Sequence, residues 1–234
     1  MNTITQIWRL RLYFRSILQS IYFNFHYLSF AQAIHLPILL YKPKFLALKG
    51  RVEITGELKF GMIKLGFPEV SIYPNTGIMI ENHGGTIVFQ GSCSIGNNSS
   101  ISVGERGKCV FGTRMQATTT FRLACYHSII IGDNCSFGWD CLVMDTDFHR
   151  LTKPDRGYSK GYGPVKIGAN NWFGTGCLIM KRTETPDFCT ISARTVLTGG
   201  IDVPAYSVIG QKQELEIKMT NAWRNRDDDG IVYP

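Results

Sequence analysis

Ile131-Gly132-Asp133-Asn134-Cys135-Ser136-Phe137-Gly138-Trp139-Asp140-Cys141-Leu142-Val143-Met144-Asp145-Thr146-Asp147-Phe148-His149 is the stretch that decides the fold. Taken in sixes, it opens each unit on an apolar residue (Ile131, Phe137, Val143) and places a small or polar residue four positions later (Cys135, Cys141, Asp147). A six-residue period of this kind belongs to a hexapeptide β-helix, in which short parallel strands stack their first-position side chains in a common interior. The next first position is His149, and there the pattern stops.

The period extends outward on both sides. Ile167 lies 36 residues beyond Ile131, and from it Ile167, Phe173, Ile179, Thr185, Ile191, Leu197, Val203 and Ile209 keep the phase without a break. Upstream, Phe89, Ile95 and Ile101 are six apart, and Ile95 precedes Ile131 by 36, or six hexads, although Phe111-Gly112 falls out of step. Three hexads make one triangular coil. From Leu46 the spacing of Val52, Ile54, Leu58, Ile63 and Leu65 among Gly50, Gly56, Gly61 and Gly66 is irregular, as in coils that cap one end of a stack. Residues 149–166 lose the repeat and carry Arg150, Lys153, Pro154, Gly161 and Pro164, which reads as a loop thrown out from a rigid scaffold, where function concentrates. The predicted domain is therefore residues 46–210, with this excursion loop inside it.

Cys93, Cys135, Cys141, Cys177 and Cys189 each fall four residues after a first position. That register predicts small buried packing residues in a reduced compartment. No CxxC or His-x-x-x-His spacing points to a metal, and none is expected.

The first 45 residues differ. Ile4, Ile7, Trp8, Leu12, Leu18, Ile21, Tyr22 and Phe25 recur near helical spacing, with Arg9, Arg11 and Arg15 among them. Ser16 to Tyr41 carries no Lys, Arg, Asp or Glu, but Gln19, Asn24, His26, Gln32 and His35 make it a poor membrane span. Ala31-Gln32-Ala33 resembles a signal cleavage site behind a weak apolar region. The reading favours a helix packed on its own domain or on a neighbouring copy, with docking on a membrane surface as the alternative. Both place the protein in the cytoplasm, the second peripherally on a membrane. Residues 211–234 read as a short helical or irregular tail. The net charge of +7 calls for an acidic partner, and no nucleic-acid-binding motif is present.

The blocks Ile131-Gly132-Asp133-Asn134 and Ile167-Gly168-Ala169-Asn170-Asn171-Trp172-Phe173-Gly174, with Asp145-Thr146-Asp147-Phe148-His149 and a loop between them, resemble the hexapeptide-repeat acyltransferases. Among these the chain looks most like O-acetyltransferases of bacterial surface-polysaccharide clusters. The resemblance implies a left-handed coil, acetyl-CoA as co-substrate, a saccharide acceptor and a homotrimer with active sites between neighbouring β-helices. His149 matches the family's catalytic histidine, and the backbone N–H of Thr175 matches the oxyanion donor. Asp145 and Asp147 are the nearest carboxylates in sequence, and which of them would orient His149 is open. Trp172 and Gly174 fall in the motif near the acceptor and CoA, and Ala193 at the position facing the pantetheine arm, with Arg194 beside it. Trp139 is expected to face the cleft where acceptor binds.

Two departures stand out. Thr198-Gly199-Gly200 replaces the family's Thr-Lys-Asp, and Gly210-Gln211-Lys212-Gln213-Glu214 replaces its Gly-Asn-Pro-Ala-Lys. Phosphate recognition would then pass to Arg194, Lys212, Lys181 or Arg182. The lost lysine keeps open a non-catalytic scaffold in a polysaccharide assembly complex. A zinc carbonic anhydrase on the same fold would need His83, His127 and His149 brought together.

Overall fold

The computed structural model describes residues 14, 17–154, 157–211 and 219–222. The expectations for residues 1–13 and for most of the tail, including Lys212, lie outside the described residues.

Almost every strand belongs to one of three parallel sheets of eight, seven and six strands, each sheet taking every third strand of the coil. This is a left-handed parallel β-helix of hexapeptide coils, with an N-terminal helix and a short irregular C-terminal region. The chain climbs from face one to face two to face three and repeats. Each face contributes one inward column: Leu65, Ile95, Ala117, Phe137, Phe173, Ile191 and Ile209 on face one; Ile80, Ile101, Leu123, Val143, Ile179 and Leu197 on face two; and Phe89, Phe111, Ile131, Ile167 and Thr185 on face three. Stacking gives each side chain a like neighbour above and below. Phe137 and Phe173 lie parallel with ring centroids 4.6 Å apart, and Phe89 and Phe111 are stacked at 5.2 Å. Burying one such ring stabilises the coil by about 1.5–3 kcal/mol. All seven cysteines are buried and unpaired, so the five read as packing residues do pack in the interior.

The strict period holds only below the excursion loop. Phe111, out of step in the sequence, is a core residue of face three. The step from Ile101 on face two to Phe111 on face three takes ten residues, and that from Leu123 to Ile131 takes eight. The extra residues lie in corner turns, where the chain faces solvent and stacking does not fix its length. The two excesses together equal one hexad. The 36 residues from Ile95 to Ile131 therefore make five steps from face to face, and the apparent six-hexad phase is a coincidence of turn lengths. Likewise Val143 to Ile167 is a single step from face two to face three, with the excursion inserted in it.

Corners need one residue in the left-handed region, and Asn supplies it cheaply because its short polar side chain tolerates positive φ. Asn98, Asn134 and Asn170 have φ of 58°, 56° and 58°. The Asn134 amide donates to the Asn170 side-chain oxygen at 3.0 Å, so these corners also stack.

At the open end, strand pairing begins at Ile38–Leu40, where all three side chains are buried and no alternation marks the strand in the sequence. Helical residues 17–27 lie across this rung. Asn24 donates to the Ile38 carbonyl at 2.7 Å and accepts from the Ile38 N–H at 3.2 Å, while the Ser20 hydroxyl oxygen accepts from the Leu40 N–H at 2.8 Å. One helix turn thus satisfies polar groups that a bare sheet edge would expose. Among the described residues no helix is long and apolar enough to cross a membrane.

Candidate active site

The residues singled out in the sequence fall on two different edges of the triangular coil. On the edge between faces one and two, the turns after Phe137, Phe173 and Ile191 stack directly on one another. The Gly176 N–H donates to the Trp139 carbonyl at 2.7 Å, and the Arg194 N–H to the Thr175 carbonyl at 2.8 Å. Glycine is required where these turns close on each other: a Cβ on Gly174 would stand 2.6 Å from the Ala193 nitrogen, and one on Gly138 3.0 Å from the Thr175 nitrogen. Among the described residues the N–H groups of Thr175 and Ala193 donate to no protein acceptor, and both residues are exposed. Arg194 is exposed beside them. The edge thus offers two open backbone donors, one coil apart, with a cation next to the lower one. Trp172 projects outward from face one, between Ser136 above and Thr190 below, and is 58% exposed.

Trp139 is half-buried on this edge, edge-on to Tyr73 with centroids 5.8 Å apart. The Tyr73 hydroxyl donates to the Asp140 carboxylate. Tyr73 belongs to residues 68–77, a segment between two face strands that folds down over this edge and that the sequence reading passed over. Pro68, Pro74 and Gly77 were the available signal for it.

The edge between faces two and three carries His149. The excursion leaves after Leu142–Met144 and returns at Val165–Ile167. It is an antiparallel hairpin, with Thr146 bridged to Tyr162 and Thr152–Lys153 paired with Gly157–Tyr158. Two bonds close its root: Asp147 N–H to the Gly161 carbonyl at 2.7 Å, and Gly163 N–H to the Asp145 carbonyl at 2.9 Å. Gly161 must be glycine, since a Cβ there would stand 2.5 Å from the His149 carbonyl oxygen. Arg150 covers the Tyr158 ring at 3.5 Å.

The two carboxylates nearest His149 in sequence are engaged elsewhere. Asp145 is fully buried, and its two oxygens accept the N–H groups of Tyr126 and His127, each at 2.8 Å. Burial pushes its carboxyl above the usual carboxylate range, against the pull of these N–H groups. Asp147 forms an ion pair with Lys181, one coil below. His149 is half-buried, and among the described residues no hydrogen bond reaches its imidazole. Of the cations considered for phosphate, Lys181 is held by Asp147, and Arg182 donates to the Lys160 carbonyl at 3.4 Å. Arg194 alone of the described candidates lies on the edge with the open N–H groups.

Above the hairpin, a cleft of about 370 Å³ is lined by His83, Gly104, Glu105, Arg106 and Tyr126. Glu81 links its wall, meeting His83 at 3.0 Å and accepting from Ser102 at 2.7 Å. The Ser102 hydroxyl chiefly holds the Glu81 carboxyl below its ordinary range, and His83 adds to this. Tyr126 separates the cleft from the hairpin, its ring edge-on to Phe148 at 4.8 Å. Sequence alone gave no reason to single out Tyr126 or Glu81. Among the described residues, no group of three or more His, Cys, Asp or Glu side chains could hold a metal ion, so His83, His127 and His149 do not converge.

No protein-family model matches the chain. Over 119 residues it is 30% identical to a probable acetyltransferase of Mycobacterium tuberculosis, a stretch that makes up 49% of this chain and 38% of that protein's length. Among solved structures, the crystal structure of the polySia specific acetyltransferase NeuO aligns over 80% of this chain and 91% of its own, with 16% identity and a TM-score of 0.44. The sequence likeness is thus to part of a protein named as an acetyltransferase, and the hexapeptide coil stands on its own strand register.

Proposed function

We propose that the chain is an acetyl-CoA-dependent O-acetyltransferase acting on a sugar hydroxyl during assembly of a bacterial surface polysaccharide, and that it works as a homotrimer. The observation that carries this reading is the division of complementary chemistry between two edges. One edge presents open backbone N–H groups and Arg194, suited to a thioester carbonyl and its anionic carrier. The other presents a half-buried imidazole with no hydrogen-bond partner among the described residues, near the root of the hairpin. Neither edge is a complete site in one chain. Side-by-side packing of three coils brings the His149 edge of one copy to the open-amide edge of the next.

In that arrangement His149 takes the proton of the acceptor hydroxyl as its oxygen attacks the thioester carbon. The carbonyl electron pair moves onto oxygen, and the Thr175 N–H stabilises that charge. Collapse of the tetrahedral intermediate re-forms the carbonyl and breaks the carbon–sulfur bond. The proton held by His149 passes to the leaving thiolate, so a sugar ester and free CoA are released.

The test is acetyl-CoA consumption with nucleotide sugars, lipid-linked sugars and finished polysaccharide as acceptors. His149→Ala is expected to lower turnover by about 10²–10⁴ while CoA binding and assembly persist. Full activity in that variant would remove His149 as the base. No turnover with any acceptor, together with no CoA binding by calorimetry, would favour a non-catalytic scaffold.

A further inference from the structure

The end of the coil opposite the C-terminus carries a surface that the transferase reading does not use. Helical residues 17–27 turn Phe23 with Ser20 and Asn24 toward the first rung, and these are buried, as is Leu28 just past the helix. The other side of the same helix carries an apolar stripe. Leu18, Ile21, Tyr22 and Phe25, spaced as neighbours on one helical face, are exposed, and Phe30 and Ile34 continue the surface beyond the helix. Leu18 is 77% and Phe30 74% exposed. Gln19 and His26 are exposed beside this stripe, so the outer side pairs apolar with polar residues, as on a helix that lies in an interface. Exposed apolar area of this kind marks a contact.

Charge identifies the partner. Residues 1–52 contain Arg9, Arg11, Arg15, Lys42, Lys44, Lys49 and Arg51 and no Asp or Glu. Those seven positive charges equal the net charge of the whole chain, +7, so the remaining residues balance. Lys42, Lys44, Lys49 and Arg51 are exposed on the first coil, next to the helix that covers it. A second copy brought against this surface would place like charges together, which opposes association. A bilayer carrying acidic headgroups satisfies both features, taking the apolar side chains into its interface and pairing its charge with the lysines and arginines.

We propose that the N-terminal helix and first coil dock the protein on an anionic membrane surface, with Leu18, Phe25 and Phe30 inserted and residues 42–51 at the headgroups. The coil then stands away from the bilayer, with both candidate edges reached from its side. This docking does not depend on the acyl-transfer reading.

The experiment is co-sedimentation of the full chain with phosphatidylcholine vesicles, neutral or with about one third phosphatidylglycerol. Wild type is expected to partition at least about tenfold more into the anionic vesicles, with the difference shrinking at high salt as the Debye length contracts. Leu18→Glu with Phe25→Glu alters only exposed positions. It is expected to abolish partitioning while melting temperature and any acetyl transfer to a soluble acceptor stay at wild-type values. Equal binding to both vesicle types, no binding, or unchanged binding by the double variant overturns the proposal. So does sedimentation velocity showing that the double variant changes oligomeric state without lipid, which would make the surface a contact between copies.

Discussion

The two edges that carry the candidate chemistry are built by opposite rules. Between faces one and two, turns that keep one length from Ile95 onward close tightly on one another, and what the edge offers is backbone: open N–H groups made accessible by Gly138 and Gly174. Between faces two and three, the chain breaks its period and projects a hairpin, and what that edge offers is a side chain, His149. A repeating coil can present identical amides at every level, but a single imidazole in one place requires an interruption. The hairpin is fixed by Asp145, Asp147 and Gly161. These residues hold the loop root, and none of them bonds to the imidazole.

Breaking the hairpin edge without touching the other is the sharpest way to separate these roles. Gly161→Ala puts a Cβ where the His149 carbonyl oxygen now lies, so the hairpin root must shift. Displacement of a catalytic group by about 1 Å costs on the order of 10² in rate. Turnover is expected to fall by about that factor, with CoA affinity at wild-type level because the open-amide edge is intact. Calorimetry beside the activity assay checks both parts.

A smaller effect is expected from Asp145→Asn. The amide cannot accept two N–H bonds with its nitrogen, so one of the Tyr126 and His127 donors is left unpaired in a fully buried place. Unfolding free energy should drop by about 1–3 kcal/mol, measured by denaturant titration. A variant as stable as wild type would mean that Asp145 does not anchor the root.

The smallest effect concerns the cleft above the hairpin. Ser102→Ala removes the main cause of the depressed Glu81 pKa. A lowered carboxyl pKa contributes stability above its unfolded value, near pH ~4.3 for Glu, that is lost as pH falls through the folded value. The difference between wild type and Ser102→Ala should therefore be fully present at neutral pH and close on acidification. Because Glu81 is partly exposed, it should stay below about 1 kcal/mol. Thermal melts across pH would show this, and a difference that grew toward acid would contradict it.

Much of this was legible from residue spacing, and the reasons for the rest are physical. From Ile167 to Leu197 every hexad is one side of the prism, so apolar spacing reports the fold directly. The cysteines were legible for the same reason, since the fifth position faces inward in each of the five hexads that carry one. Above the hairpin the corners vary, and Ile101 to Phe111 and Leu123 to Ile131 show how two slips can imitate an unbroken phase. Ile38–Leu40 escaped because a strand buried on both sides has no alternation. The partners of Asp145 and Asp147 escaped because both bonds reach across coils, to residues 126–127 and 181, which no local pattern links.

The central claim is that a complete site needs one edge from each of two copies, and subunit mixing tests it. Two inactive variants, His149→Ala on one edge and Ala193→Trp obstructing the exposed turn on the other, are denatured together, refolded and assayed. The account predicts that each variant alone is inactive and that mixing restores a substantial fraction of wild-type turnover, because some assemblies pair an intact His149 edge with an intact open-amide edge. Mixed assemblies, verified by differential tagging, that remain as inactive as either parent would contradict it.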